Sequence, residues 1–179
     1  LGFLTHPLLS AASPSGTSGN YGLLDQLMAL RWIQDEIAVF GGDPERVMLF
    51  GQSGGSLNTC SLLASPLAAD LFQRAGLHSG SCTNPPQTTF YDRAETMFAE
   101  VGCSTAPDVL ACLRETPAER LVLARSAQPI DLGVAAFGPT ADGRVLLESP
   151  DQTIASGRHN RMPVLLGANS AEYAHQFEN

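Results

Sequence analysis

The chain has 179 residues and a formal net charge of −8, with ten Lys and Arg residues in total. This length suits one domain with a sizeable core, and so few basic residues argue against nucleic-acid binding, which requires clustered Lys and Arg to neutralise phosphates. No apolar run approaches the ~20 residues of a membrane span. The start at Leu1, without an initiating Met or a basic flank, predicts the interior of a longer protein and no signal peptide.

The first predicted elements are a loop and a long helix. Residues 6–20 are rich in Ser, Pro and Gly, which predicts a loop. From Tyr21 to Phe40 apolar residues recur at steps of three and four, which predicts an amphipathic helix that ends at Gly41-Gly42. We expect Trp32 and the Leu and Ile residues of this helix to lie in the core.

A short apolar segment, 47–50, predicts a strand that runs directly into Gly51-Gln52-Ser53-Gly54-Gly55. The pattern Gly-x-Ser-x-Gly can be a structural turn, but a strand before it and a helix after it are the context of a nucleophile elbow. In an elbow the backbone of Ser53 is strained and its hydroxyl stands at the carboxyl end of the strand. We expect glycines at 51 and 55 to let the strand and the helix approach. The N–H of Gly54 would then point at a developing oxyanion.

The rest of the chain alternates between predicted helices and strands. The helix after Ser53 is expected to run through Ala64, and the later helices are predicted at 68–74, 91–101, 108–114, 118–126 and 151–156. Strands are predicted at 75–78 and 163–167, and residues 127–150 are expected to be irregular, with a turn at Asp142-Gly143. Apolar strands that alternate with helices indicate an α/β fold with a parallel sheet covered on both faces.

Four cysteines occur, at positions 60, 82, 103 and 112, and none has the paired close spacing of a zinc site. Cys103 and Cys112 flank a short polar loop and could form a disulfide, which would modestly favour an oxidising compartment. Cys60 lies in an apolar helix and is predicted to be a small buried residue. The sequence leaves the state of Cys82 open.

Six segments spread in order along almost the whole chain carry a family resemblance: 19–26, 29–33, 40–44, 49–55, 78–81 and 167–172. Together they resemble the type-B carboxylesterases, which include the cholinesterases and the bacterial para-nitrobenzyl esterases. The resemblance implies an α/β-hydrolase fold, with a mostly parallel central sheet flanked by helices and incomplete at both ends. It makes residues 1–179 the central part of a single domain of that family.

The resemblance also implies a chemistry: hydrolysis of small-molecule carboxylic esters through a serine acyl-enzyme, without a metal or a cofactor. It makes Ser53 the acylated nucleophile, Gly54 an oxyanion-hole donor and Glu172 the acid of a catalytic triad. A short-loop disulfide common in the family matches Cys103 and Cys112. That pair slightly favours a secreted or extracellular location.

Two further residues are expected to support the serine from close by. Gln52 stands where the family often has Glu, and it can form hydrogen bonds but supplies no negative charge, which weakens the case for a cationic substrate such as a choline ester. Ser79 is either such a supporting hydroxyl or a serine that bonds its own backbone at the start of a loop.

Two parts of the family's machinery are expected outside this chain. The triad histidine of the family lies well beyond the acid, whereas this chain ends at Asn179, and the glycine-rich oxyanion loop lies upstream of Leu1. Within the chain, His175 is a poor substitute, because Glu172, three residues away in sequence, would draw its imidazole away from Ser53. His78 ends a strand near the expected site, but no acid close to it in sequence would orient it as a base.

We therefore expect little or no ester turnover from the 179 residues alone. We also expect a sheet without its outer strands to expose edges and apolar faces. Two alternatives remain: a non-catalytic binding or adhesion module like the neuroligins, and a fragment without a function of its own. The intact elbow around Ser53 favours the enzyme, because non-catalytic relatives tend to lose the nucleophile.

Overall fold

The computed structural model of this chain describes residues 2–126 and 137–170. Its strands are β1 (Met48–Gln52), β2 (Arg74–His78) and β3 (Val164–Gly167). Its helices are α1 (Pro7–Ala12), α2 (Tyr21–Glu36), α3 (Gly54–Ala64), α4 (Thr88–Glu100), α5 (Val109–Glu115), α6 (Ala118–Ser126) and α7 (Pro150–Ala155). The chain divides into two compact units, which we call the helical unit (Leu1–Gly22 with Asn84–Leu147) and the sheet unit (Leu23–Thr83 with Glu148–Asn179).

The sheet unit contains a parallel sheet in the order β1-β2-β3, which confirms the predicted α/β architecture. Phe50 of β1 is in register with Gly76 of β2, and Gly76 with Leu165 of β3. The helix α3 follows β1 and packs against β1 and β2. A parallel connection between neighbouring strands requires such a crossover, because the chain must return to the amino end of the sheet.

Among the described residues, α3 covers one face of this sheet over β1 and β2 but leaves Leu166 of β3 71% exposed, and the other face is not covered. Ala75 and Leu77 of β2 are buried on the face that α3 covers. On the opposite face Phe50 and Leu165 are 68% and 59% exposed. The described residues therefore do not provide the cover on both faces that the apolar strands predicted. The exposed face agrees with the expectation for a sheet that lacks its outer strands.

The long helix α2 buries Leu23, Leu27 and Leu30, as its periodicity predicted, whereas Ile33 and Ile37 further along the chain are only half-buried. It continues into a 3-10 turn, Ile37–Phe40, and Gly41 ends that turn in the left-handed conformation with φ 82°. The prediction that Trp32 belongs to the core is wrong, since its side chain is 51% exposed and its ring lies 5.8 Å from that of Phe40. Trp32 follows Leu30 by two residues, which is a rotation of about 200° around the helix axis, so it lies on the opposite side from the leucines.

The helical unit has its core along α4, whose buried side chains include Phe90, Met97 and Phe98. The side-chain amide of Asn20 donates to the carbonyl of Thr140 at 2.8 Å, and its carbonyl accepts from the Thr140 N–H at 3.1 Å. These bonds hold two segments of the unit that are far apart in sequence. The predicted turn at Asp142-Gly143 is present, and the Asp142 carboxylate accepts backbone N–H bonds, including one from Val145 at 2.8 Å.

Two local predictions are wrong. Residues 7–12 form α1 and not a loop, because Pro7 occupies the first turn and the His6 imidazole accepts the Leu8 N–H at 3.2 Å as a helix cap. Residues 68–74 do not form the predicted helix; a 3-10 turn covers Pro66–Ala68, and Asp70 then has a φ of 63°, which is incompatible with a helix.

Candidate active site

Ser53 occupies a sharp turn between a parallel strand and a helix, as the sequence predicts. The strand β1 ends at Gln52, α3 begins at Gly54, and Ser53 between them has φ 54° and ψ −118°. Its N–H donates to the His78 carbonyl at 3.0 Å, and its carbonyl accepts from the Leu57 N–H at 3.0 Å. The side chain is exposed at the carboxyl edge of the sheet. A non-glycine residue at positive φ is strained, and such strain persists only where the surroundings impose it.

Gly51 shows what imposes this turn. A Cβ atom at Gly51 would lie 2.3 Å from the carbonyl carbon of Gly55 and 2.4 Å from its oxygen. The backbones of β1 and α3 therefore touch at this point, and only glycine allows the contact. The prediction that Gly55 is required for the same reason is wrong, because a Cβ atom there would meet nothing within 4 Å.

Gly80 is a second close contact at the elbow, and sequence reasoning gave it no role. A Cβ atom at Gly80 would lie 2.4 Å from the Cβ of Ser56 and 2.9 Å from the carbonyl oxygen of Ser53. The loop after β2 therefore presses on the first turn of α3. Gly80 belongs to the segment 78–81 that carried part of the family resemblance, so a signal for it was present in the sequence.

The first turn of α3 supplies the electrostatics of the site. The leading N–H groups of a helix have no partner within the helix, and the helix dipole places about half a positive charge there. Gly54 is the first residue of α3, next to the Ser53 hydroxyl, and the side chain of Ser53 makes no capping hydrogen bond to the helix. This end of α3 can therefore stabilise negative charge that develops beside Ser53.

Gln52 and His78 are register partners at the carboxyl edge, and both are exposed. The His78 imidazole extends back along β2, since its Nε2 atom lies 3.6 Å from the point where a Cβ on Gly76 would stand. This direction disfavours His78 as the base. Ser79 has φ 49° and donates its N–H to the Gly167 carbonyl at 2.8 Å, which ties the end of β2 to the end of β3.

The two remaining catalytic candidates, Glu172 and His175, lie outside the described residues. The strand before them can be located, because Gly167 at the end of β3 is in register with His78. His78 is in turn in register with Gln52. The chain therefore leaves β3 from the edge of the sheet that carries Ser53.

Both pairs of cysteines form disulfides. Cys103 and Cys112 are joined in the helical unit, with a Cα–Cα distance of 5.6 Å, as the resemblance implied. Cys60 is joined to Cys82 across a sequence separation of 22, with a Cα–Cα distance of 5.5 Å. Cys60 is fully buried as predicted, but the expectation of a plain buried residue is wrong, because its partner comes from the loop after β2. Nothing in the local pattern around either cysteine indicated this pairing.

Within residues 2–126 and 137–170, no group of three or more His, Cys, Asp or Glu side chains is arranged to hold a metal ion. Among the helices of those residues, none has both the length and the apolar character needed to cross a bilayer.

Comparisons with known proteins bear on the family and the fold of this chain. The profile of the carboxylesterase family matches residues 1–179. The fumonisin B1 esterase of Sphingopyxis macrogoltabida is 39% identical over 175 residues, which cover 96% of this chain and 31% of the relative. Human neuroligin-2 is 35% identical over 176 residues, which cover 96% of this chain and 20% of that protein. The solved structure of a PNB esterase superposes with a TM-score of 0.82 and 33% identity, covering 97% of this chain and 37% of the esterase chain.

The chain thus spans about a third of the length of the esterases it matches. The superposition identifies the parallel sheet and its helices as an α/β-hydrolase fold. With a family profile that matches from the first residue to the last, this chain belongs to the carboxylesterase family.

Proposed function

We propose that this chain is the central part of a single carboxylesterase domain in a longer protein, which we call the parent protein, and that Ser53 is its nucleophile. The observation that supports this most directly is the backbone of Ser53, at φ 54° between a parallel strand and the amino end of α3. A serine held in that strained turn exposes its hydroxyl to an acyl group. The family's ester hydrolysis is the activity that this geometry fits.

The proposed reaction proceeds through an acyl-enzyme. The Ser53 hydroxyl oxygen attacks the acyl carbon of the ester while its proton passes to a histidine that the parent protein supplies. Glu172 is proposed to orient that histidine, and the Gly54 N–H to stabilise the negative oxygen of the tetrahedral intermediate. The alcohol leaves with the proton from the histidine, and water then releases the acid by the same steps. Gln52 and Ser79 are proposed to support this site from the carboxyl edge of the sheet.

The 179 residues alone should then have little or no turnover. Loss of one member of a serine triad reduces kcat by about a million-fold, because the members act together. A missing oxyanion donor reduces kcat by about a hundred- to a thousandfold when it is removed alone. Turnover of a nitrophenyl ester by the purified chain at triad-level rates, abolished by Ser53→Ala, would show that the base lies within the chain.

The test of the proposed function is covalent labelling of the parent protein with a fluorophosphonate probe. Ser53→Ala should abolish labelling, and the matched control Ser56→Ala should retain it. Ser56 lies three residues further along, is only 1% exposed and has no hydrogen-bond partner among the described residues, so its hydroxyl can be removed without breaking a bond seen here. A parent protein that is folded but never labelled would refute the assignment of Ser53.

The second candidate is a non-catalytic adhesion module, which the similarity to neuroligin-2 favours. The complete elbow at Ser53 supports the enzyme instead, because a binding module has no use for a strained serine. The fluorophosphonate assay separates the two.

The proposed substrate is a small uncharged or weakly polar ester, since Gln52 offers no negative charge to a cationic one. The two disulfides favour a secreted or extracellular location, and we propose neither nucleic acid nor a metal as a partner.

A further inference from the structure

We propose that the loop after β2, residues 79–82, together with the disulfide Cys60–Cys82, forms a clamp that holds the Ser53 backbone in its reactive conformation. This inference rests on the proposed function of Ser53, and it adds a positioning role for Gly80, Cys60 and Cys82. It predicts that reduction of this disulfide lowers the rate at which Ser53 is acylated.

The clamp contacts the elbow directly at Gly80. The absent Cβ of Gly80 would fall 2.4 Å from the Cβ of Ser56, 2.7 Å from its Oγ and 2.9 Å from the Ser53 carbonyl oxygen. The loop backbone therefore lies on the carbonyl that closes the first hydrogen bond of α3, to the Leu57 N–H at 3.0 Å. If the loop withdraws, this contact with Ser53 is lost.

The loop is fixed at both of its ends. At its start, the Ser79 N–H donates to the Gly167 carbonyl at 2.8 Å. At its end, Cys82 is bonded to Cys60 in the second turn of α3, and its carbonyl accepts the Asp151 N–H of α7 at 3.1 Å. The disulfide thus joins the loop to the same helix whose first residue follows Ser53. Gly80 lies between the two fixed ends and is pressed against that helix.

The elbow needs such a constraint because its conformation is unfavourable by itself. Ser53 has φ 54°, where a side chain is strained, and that strain persists only when the surroundings impose it. The contact of Gly51 with Gly55 constrains the turn from the strand side. The clamp constrains the same turn from the loop after β2, and the Cys60–Cys82 bond holds that loop in place.

Reduction opens the clamp by ordinary thiol–disulfide exchange. A small dithiol attacks one sulfur of the Cys60–Cys82 bond, forms a mixed disulfide and then closes on itself. The reagent becomes a cyclic disulfide, and the protein gains two electrons and two protons as two thiols. Cys60 is fully buried and Cys82 is partly buried, so we expect the attack to fall on the sulfur of Cys82.

The experiment compares two variants of the parent protein, each of which lacks one of the two disulfides. Cys60→Ser with Cys82→Ser removes the clamp, and Cys103→Ser with Cys112→Ser removes the other disulfide as a matched control. The clamp variant should be labelled at Ser53 by a fluorophosphonate about ten- to a hundredfold more slowly than the wild type, since a displacement of about 1 Å costs about a hundredfold. The control should be labelled at the wild-type rate. The loss should appear in kcat and leave KM unchanged.

A second readout does not depend on catalysis. Hydrogen exchange of the backbone amides of residues 53–57 should be faster in the clamp variant than in the wild type, and unchanged in the control. If the wild-type protein is never labelled, the proposed function fails. Hydrogen exchange at these amides then tests by itself whether the clamp holds the Ser53 backbone. Unchanged exchange and labelling in the clamp variant would overturn the proposal.

A third arm covers the case in which the clamp variant does not fold. Of the two disulfides described, the control variant retains the Cys60–Cys82 bond, so dithiothreitol can be added to it after folding and labelling followed in time. Labelling that falls as thiols appear supports the clamp; labelling that stays constant after complete reduction overturns it. Gly80→Ala in the oxidised protein should slow labelling as well, because the added methyl displaces the Ser53 carbonyl while both cysteines remain bonded.

Discussion

The contact between Gly51 and Gly55 yields a prediction with a matched pair of variants in the parent protein. In Gly51→Ala the new methyl would lie 2.3 Å, 2.4 Å and 2.7 Å from the carbonyl carbon, oxygen and Cα of Gly55. Carbon atoms in contact need about 3.5–4.0 Å, so β1 and α3 must separate by about 1 Å. All three atoms belong to the backbone, and no side chain can rotate to make room.

We expect Gly51→Ala to lower the free energy of unfolding by about 3 kcal/mol, the upper part of the range for overpacking. For a protein of 150–250 residues this corresponds to a drop in Tm of roughly 6–12 °C, and larger proteins shift less per kcal/mol. Labelling of Ser53 by a fluorophosphonate should fall about a hundredfold, because the elbow is displaced by about 1 Å.

Gly55→Ala is the control, since a Cβ atom at Gly55 meets nothing within 4 Å and the residue lies in the first turn of α3. Replacing glycine by alanine in a helix stabilises it by up to about 1 kcal/mol, so Tm should stay level or rise by a few degrees. Thermal unfolding followed by circular dichroism measures both variants. If Gly51→Ala melts within 2 °C of the wild type (roughly 1 kcal/mol or less) and is labelled normally, the strand–helix contact does not shape this site.

Three further predictions concern stability and solubility. Cys103→Ser with Cys112→Ser should lower the free energy of unfolding of the parent protein by about 2.5–3 kcal/mol in a urea titration, because it releases a loop with a sequence separation of 9; a loss under about 1 kcal/mol would contradict this. Asn20→Ala should lower the free energy of unfolding by about 2–4 kcal/mol in the same assay, because it leaves the buried N–H and carbonyl of Thr140 without partners. The control Ser15→Ala, at an exposed position, should change it by less than about 0.5 kcal/mol. The isolated chain should bind a hydrophobic dye through the exposed sheet face, and Phe50→Lys should reduce that binding; a sharp cooperative melt of a monomer that binds no dye would contradict both.

The local sequence was sufficient for the elements whose cause is local. The elbow at Ser53 follows from an apolar strand, a glycine-bracketed serine and a helix in direct succession, and β1 and α3 occur there. The stripe Leu23, Leu27 and Leu30 follows from the helical period alone. By contrast, α1 depends on a cap from His6, a residue type that is not a usual helix cap, and the composition of residues 6–20 did not indicate it.

Other features depend on residues that only the folded chain brings together. The bond between Cys60 and Cys82 and the contact of Gly80 with Ser53 each join α3 to the loop after β2, and neither cysteine nor glycine has a local pattern that encodes a distant partner. The two glycines of the elbow also differ for a reason that only the fold shows. A Cβ at Gly51 would point into the backbone of Gly55, whereas a Cβ at Gly55 would point into open space. The sequence by itself determined that a strained serine stands between a strand and a helix. Only the tertiary structure decided which neighbours hold it there, because those contacts join separate elements of the fold.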